Sequence, residues 1–387
     1  MARVTSVRDF AKRKPRLLYL VSEDWYFCSH RLPLAVAARN SGFEVTVATR
    51  VSNYAEQIRS AGLALEPILL ARYGHNPWRE LHSLAQIIGI YRRVRPDLAH
   101  HVAVKPVLYG SIAAWMARTP AVVNAIAGLG YVVSSSDMRA RILRPAIHSA
   151  YRLLLNRRNS RLIVQNPDDV AALTQNRVVD PGRVVMIRSS GVDTAHFTVV
   201  PEPPGVCLVV LPARLLRYKG VIEFVEAARA LRAQGVQARF ALVGESDPGH
   251  PAEIRQSEIE RWCEEGTVEY WGWRDDMCAV FQQAHVVCLP SYREGLPKAL
   301  IEAAACGRAI VTCDVPGCRE VVRHEDNGLL VPPRTVEPLA QALRRVIQDA
   351  PLRRRMGARG RERAVAEFSV GKVIADTLAV YRAALAL

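Results

Sequence analysis

Val286-Val-Cys-Leu-Pro290-Ser-Tyr-Arg-Glu294-Gly295-Leu296-Pro297-Lys-Ala-Leu-Ile-Glu302-Ala-Ala-Ala-Cys306-Gly307 passes from a short apolar run, through a polar turn, into a helical pattern that leaves at a glycine. Residues 286–289 have the length and composition of a strand buried on both faces. Pro297 suits the first helical turn, where its missing N–H would be unpaired in any case, and Gly307 suits the left-handed position past the last turn. A helix leaving the carboxyl end of a strand aims backbone N–H groups and a positive dipole end at the crevice where parallel α/β sheets take ligands. A diphosphate fits such a place. Glu294 falls in the turn and Glu302 in the second helical turn, so each carboxylate can hold a different hydroxyl-bearing part of one ligand. Either glutamate alone reads better as an ordinary carboxylate, Glu302 on a solvated helix face and Glu294 in a turn.

The same strand–turn–helix unit recurs on both sides. Residues 206–212, 240–243, 268–270 and 309–313 read as further strands of one series. Residues 16–21, 43–48, 98–102, 121–126 and 161–164 read as those of another, with room for helices between. Ser29 is placed to cap a helix through Asn40 that Gly42 ends, and Asn166 with Pro167 to open another. Repeated βα units make the fold class α/β, with two parallel, doubly wound sheets. A chain of 387 residues suits two domains. The pattern restarts after Gly191, so the division predicted is 1–190, 191–370 and a helix over 371–387 that packs back on the first domain.

The residues following 206–212 are Ala213-Arg214-Leu-Leu-Arg217-Tyr-Lys219-Gly220, a basic turn before the next helix. Arg214 can grip phosphate oxygens bidentately and Lys219 can act as a point charge. Read alone, the cluster is also an ordinary basic surface loop.

Half the residues are hydrophobic, which excludes compositional disorder. Residues 1–16 are basic and polar with no apolar run of a signal sequence behind them, and residues 106–133 are too interrupted to span a bilayer. The eight cysteines form no C-x-x-C pair and read as reduced core residues of a cytoplasmic protein. The net charge of +15 is one-sided. Residues 1–190 carry 27 Lys and Arg against 12 Asp and Glu, whereas residues 191–387 carry 25 of each. Such a lobe suits an anionic partner: nucleic acid, a phosphorylated substrate or an acidic membrane face. Residues 138–161 set seven arginines beside apolar residues at helical spacing, the pattern of a basic amphipathic helix that can lie on anionic lipid or pack on its own lobe.

Taken together, these residues resemble the retaining glycosyltransferases of family four. Glu294 and Glu302 reproduce that family's Glu-x7-Glu motif, with Gly-Leu-Pro after the first glutamate and Ala-Cys-Gly after the second. The Arg214 to Lys219-Gly220 element, Val243-Gly244-Glu245, Gly272-Trp273-Arg274 and the stretch from Asp326 to Pro332 match as well, as does, more weakly, the run from Pro96-Asp97 through His100-His101 to Lys105. The resemblance implies the GT-B architecture, two facing Rossmann-like domains with a cleft between them. It implies that Arg214 and Lys219 stabilise charge on a leaving diphosphate. Glu294 would bind sugar hydroxyls, Gly295 to Pro297 would line sugar or phosphate (Pro297 offering no N–H), and Glu302 would hold the ribose. Gly244 would lie at the nucleotide, and Gly272, Trp273 and Arg274 by the base. One of His100 and His101, more readily His101, would face the donor sugar. The two are adjacent and not spaced by one residue, so their side chains should point to opposite faces of a strand. Residues 22–27 depart from the family's usual glycine pair.

Gly128-Leu-Gly130 lacks the third glycine of a dinucleotide fingerprint and reads as a turn near the acceptor. No Asp-x-Asp occurs, so neither a metal nor another cofactor is expected; the adjacent pairs Asp168-Asp169 and Asp275-Asp276 read as a first-turn helix pair and a loop. Residues 106–110 and 127–131 are similar to the subset that extends polyprenyl-diphosphate-linked sugars in bacterial surface polysaccharide assembly. The partners implied are a nucleotide diphosphate sugar, UDP-linked, a glycan or lipid-linked acceptor, and an anionic membrane surface on the cytoplasmic face. Rival readings are a sugar-nucleotide epimerase or a phosphorylase of the same fold. From another class come a basic nucleic-acid-binding protein, for which groove-reading motifs are missing, and a scaffold, against which the complete Arg214, Lys219, Glu294 and Glu302 set argues.

Overall fold

The computed structural model describes residues 13–70, 76–126, 138–175 and 177–386, and for residues 138–144 and 146 the backbone alone. The expected turn at 128–130, residues 127 and 131 beside it and most of the basic start lie outside the described residues. Two compact units emerge, Met1–Ser190 with Val373–Leu387, and Gly191–Lys372.

The described residues of the first unit form a parallel sheet in the order β3-β2-β1-β4-β5-β6-β7. Its strands are β1 (Arg16–Glu23), β2 (Glu44–Arg50), β3 (Ala64–Pro67), β4 (Leu98–Val102), β5 (Ala121–Ile126), β6 (Ser160–Val164) and β7 (Val184–Met186). Between them run α1 (Asp24–His30), α2 (Leu32–Asn40), α3 (Ala55–Ser60), α4 (Pro77–Val94), α5 (Val104–Met116), α6 (Met138–Leu155) and α7 (Pro167–Gln175). Every residue of β4 and β5 is buried, as a strand covered on both faces requires. The expected helix from Ser29 to Asn40 is instead two helices, with Ser29 inside the first. Pro33 has no N–H to continue the ladder to the Ser29 carbonyl, so the chain breaks at Arg31. The helix expected over 138–161 stops at Leu155, where the Asn156 side chain donates to the carbonyls of Arg152 and Val178 (2.9 and 3.0 Å), and Arg161 belongs to β6. Asn166 does cap α7, accepting from the Asp169 N–H at 2.8 Å.

The second unit repeats the plan in the order β10-β9-β8-β11-β12-β13, again parallel. The strands are β8 (Cys207–Pro212), β9 (Ala238–Val243), β10 (Glu269–Gly272), β11 (Val286–Leu289), β12 (Ala309–Cys313) and β13 (Gly328–Val331). Its helices are α8 (Val221–Ala233), α9 (Gln256–Glu264), α10 (Met277–Gln283), α11 (Lys298–Ala305), α12 (Cys318–Val321), α13 (Val336–Gln348) and α14 (Ala350–Phe368). Pro297 caps α11 from outside, so the helix begins one residue later than expected, while Gly307 takes the left-handed conformation (φ 68°) past its end. The last helix, α15 (Val370–Leu385), brings Tyr381 into the first unit, where its hydroxyl lies 2.8 Å from that of Tyr19.

Candidate functional site

In the second unit the strand order reverses direction between β8 and β11, and the loops after these two strands hold the residues singled out from sequence. They are drawn together by backbone. The Tyr292 N–H donates to the Tyr218 carbonyl at 2.9 Å, and Gly220 (φ 74°) packs so tightly on the Pro290 carbonyl that a side chain there would collide with it. As a result the Nζ of Lys219 donates to Oε1 of Glu294 at 2.5 Å, an ion pair in which both side chains are largely buried. Arg214 pairs with Asp247, which lies beyond the carboxyl end of β9, and donates to the Tyr218 hydroxyl at 3.3 Å. The two cations therefore stand at one edge of the sheet, each held by a carboxylate.

Glu294 sits in a braced loop. Its N–H reaches the Pro316 carbonyl at 3.3 Å, and Gly317 (φ 82°) lies directly beneath. A Cβ at Gly317 would come within 2.7 Å of the Glu294 carbonyl and 2.5 Å of that of Gly295. Leu296 is buried, and α11 starts at Lys298 with its N-terminus on this loop. Glu302 is buried one turn on and accepts from Nζ of Lys298 at 2.8 Å. Burial raises its pKa above the usual carboxylate range, with the Lys298 charge and hydrogen bond pulling against it.

Gly244 (φ 136°) closes on the Ala213 carbonyl, a contact that leaves no space for a side chain, and its N–H donates to the Gly272 carbonyl at 2.8 Å. Trp273 is about half exposed and its Nε1 donates to Asp275, while Arg274 is paired bidentately with Asp276 (2.7 and 2.5 Å). Three groups here were not singled out from sequence. Asp247 holds Arg214; Ser291 is fully buried with its Oγ lacking a partner among the described residues; Gly317 supports Glu294. Ser291 follows Pro290 just past the end of β11, so its place at a strand end was the available signal. Asp247 and Gly317 are joined to the site only by tertiary contact.

Two family models match in tandem, one to each unit. "Glycosyl transferase 4-like" covers residues 16–166 and "Glycosyl transferases group 1" covers 207–349. The chain belongs to the glycosyltransferases. Among curated proteins this glycosyltransferase is similar to the N,N'-diacetylbacillosaminyl-diphospho-undecaprenol alpha-1,3-N-acetylgalactosaminyltransferase of Campylobacter jejuni, 26% identical over 84% of this chain and 87% of that one. It is also similar to the UDP-Gal:alpha-D-GlcNAc-diphosphoundecaprenol alpha-1,3-galactosyltransferase of Escherichia coli, 23% identical over 71% and 72%. Among solved structures, the Anabaena protein HepE in complex with UDP and glucose superposes with a TM-score of 0.77, 18% identity, and coverage of 94% of this chain and 99% of that one. The fold of the glycosyltransferase is thus GT-B, two Rossmann-like α/β units.

The two adjacent histidines lie in the first unit, fully buried on opposite faces of β4. His101 has both ring nitrogens satisfied, Nδ1 by Asn124 at 2.7 Å and Nε2 by the Tyr91 hydroxyl at 2.6 Å. His100 stacks on Tyr19 and meets the Tyr381 hydroxyl through Nδ1, while its Nε2 has no hydrogen-bond partner among the described residues. Of the pair, it is His100 that retains a ring nitrogen to offer. Burial drives both well down the scale, His101 to about 4, so each is neutral at pH 7.

Proposed function

We propose that this glycosyltransferase moves a hexose or N-acetylhexosamine, with retention, from a UDP-sugar to a polyprenyl-diphosphate-linked acceptor during surface polysaccharide assembly on the cytoplasmic face of a membrane. The observation that carries the donor side is the Lys219–Glu294 pair at 2.5 Å beside Arg214, at the point where the second sheet reverses its strand order. Support for UDP comes from the UDP-Gal donor of the Escherichia relative and the UDP held by the Anabaena protein, and support for the acceptor from the diphosphoundecaprenol-linked substrates of the Campylobacter and Escherichia relatives.

On this reading the two ion pairs are stand-ins for substrate contacts. When a diphosphate enters, Lys219 and Arg214 turn from Glu294 and Asp247 to its oxygens, and the positive charge is already oriented where the leaving group becomes more negative. Glu294 is then free to accept hydrogen bonds from sugar hydroxyls. The N–H groups of Gly295 and Leu296 face the same ligand, Glu302 takes the ribose hydroxyls, and Gly272 to Arg274 border the base. The bond from the anomeric carbon to the donor phosphate oxygen breaks as the acceptor oxygen bonds to that carbon from the same face. The acceptor's proton passes to the departing phosphate oxygen. No protein nucleophile is consumed.

The test is acceptor-dependent release of UDP with Glu294→Ala beside the wild type. The variant is expected to keep its melting temperature within a few degrees and to lose about a hundredfold or more in turnover, the size of effect that loss of one transition-state contact has elsewhere. Turnover within twofold of wild type would overturn the assignment.

A further inference from the structure

The first unit has a reversal of strand order of its own, between β1 and β4, which are flanked by β2 and β5 respectively. Tyr19 and His100 are register partners across it. α1 leaves the carboxyl end of β1, and α2 then runs back toward the start of β2, so the α1–α2 junction overhangs that edge. Two polar groups near this point are unused. One is Nε2 of His100, fully buried and without a hydrogen-bond partner among the described residues. The other is Arg31, the junction residue, which is only 4% exposed and whose guanidinium donates no hydrogen bond to, and forms no ion pair with, any described residue.

The nearby carboxylates are engaged elsewhere in the unit. Asp24 accepts from the Ser52 N–H and hydroxyl (both 2.6 Å) and from the Tyr54 N–H at 3.1 Å, and Glu23 lies 3.6 Å from Arg50. Arg31 is close enough that, after burial, its charge is the next largest influence opposing protonation of His100, and it acts on Tyr19 and Tyr381 as well. An enclosed guanidinium without a counter-ion is costly, and a fold keeps one where a ligand supplies the anion. The N-terminus of α2, where Arg31 is the capping residue, Pro33 has no N–H and no side chain caps the helix, adds a positive dipole end. In the tautomer whose Nδ1 accepts from the Tyr381 hydroxyl, Nε2 of His100 carries the ring proton and can donate a hydrogen bond to an oxyanion.

We infer that Arg31, with Nε2 of His100 and the N-terminus of α2, forms a phosphate-binding site in the first unit, whereas the donor-side cations Arg214 and Lys219 belong to the second. Taking the occupant to be the acceptor's diphosphate rests on the function proposed above; an anionic phospholipid headgroup has the same chemistry.

The experiment titrates inorganic pyrophosphate into the full chain saturated with UDP. Wild type is expected to bind, Arg31→Gln to bind at least about tenfold more weakly, and Arg31→Lys to fall between. Without ligand, Arg31→Gln should melt at the wild-type temperature or above, because it removes an unpaired enclosed charge. A lowered melting temperature with unchanged pyrophosphate affinity would mean that Arg31 is structural, and would end the proposal. Should Arg31→Gln not fold, His100→Gln gives the same reading, with unchanged affinity counting against the site. Two further arms name the source: neutral vesicles carrying a prenyl-diphosphate-linked N-acetylglucosamine, and phosphatidylglycerol vesicles without it. Dependence on Arg31 in either arm supports the site, and independence in both refutes it. UDP binding is read separately by thermal shift, so its failure would count against the donor-side function and not against this site.

Discussion

Lys219 and Glu294 illustrate how a residue can have one partner in the unliganded protein and another at work. Each satisfies the other's charge at 2.5 Å, which keeps a partly desolvated carboxylate and ammonium tolerable until a substrate divides them. The histidines of β4 make a prediction at the same scale. Both are held neutral by burial, whereas in the unfolded chain they take up protons near pH 6.5. The unfolded state therefore binds more protons below that value. The stability they allow is present above about pH 6.5 and is lost as pH falls, approaching about 1.4 kcal/mol per pH unit for each histidine. His101→Gln should remove one such contribution, with His101's window running down to its folded value of about 4. Urea melts of both proteins at pH 7, 6 and 5 check this; equal slopes would contradict it. Glu294, Arg214 and Lys219 were legible in sequence because the turns that carry them sit at strand ends. That His101 is consumed by Asn124 and Tyr91 was not, since neither partner is near it in sequence.

Among the elements, the turn beneath Glu294 is the most exacting. Gly317 has a positive φ and stands under two carbonyls, whereas Gly235 has a similar φ (74°) with nothing within 4 Å of a would-be Cβ. Gly235→Ala should cost only backbone strain, about 1–2 kcal/mol, and leave UDP affinity alone. Gly317→Ala should cost more and weaken UDP binding by about tenfold or more, since the loop that presents Glu294 has to shift. Thermal melts and UDP titrations of the two variants separate the effects. The strands read correctly from sequence are largely those buried along their length, such as β4, β5 and β12. β3 has no buried residue and ends in Pro67, and β7 is only three residues long with none of them buried, so neither has the length and burial of the strands that were read. The break at Arg31 was open to reading from Pro33; the end of α6 at Leu155 depends on Asn156 reaching Val178, and was not.

The whole molecule is lopsided in charge, and the first unit also places apolar side chains in the open among its arginines. Trp115 and Met116 at the end of α5 and Leu153 near the end of α6 are each about half exposed or more, and Arg157 lies over the Trp115 ring at 5.4 Å. No described helix is long and apolar enough to cross a membrane. Aromatic, aliphatic and basic groups side by side suit a bilayer interface. Phosphatidylglycerol vesicles should sediment the protein at low salt, and salt near 1 M should release it. Replacing Arg152, Arg157 and Arg158 together by Glu should reduce binding about a hundredfold or more, at roughly 1 kcal/mol for each cation lost from the surface. Binding indifferent to both changes would rule this face out. The meeting of Tyr19 and His100 with Tyr381 bears also on how the protein is made. His100 leaves the ribosome 281 residues before the hydroxyl it bonds to. At elongation rates of roughly 5–20 residues per second that is a wait of some tens of seconds. Throughout it the apolar side of β1 and β4 lacks the cover later given by Val373, Leu378 and Tyr381, while the second unit emerges with its own sheet whole. The unit translated first is completed last, and a nascent chain stalled before Val373 should be the form that protease cuts and chaperones hold.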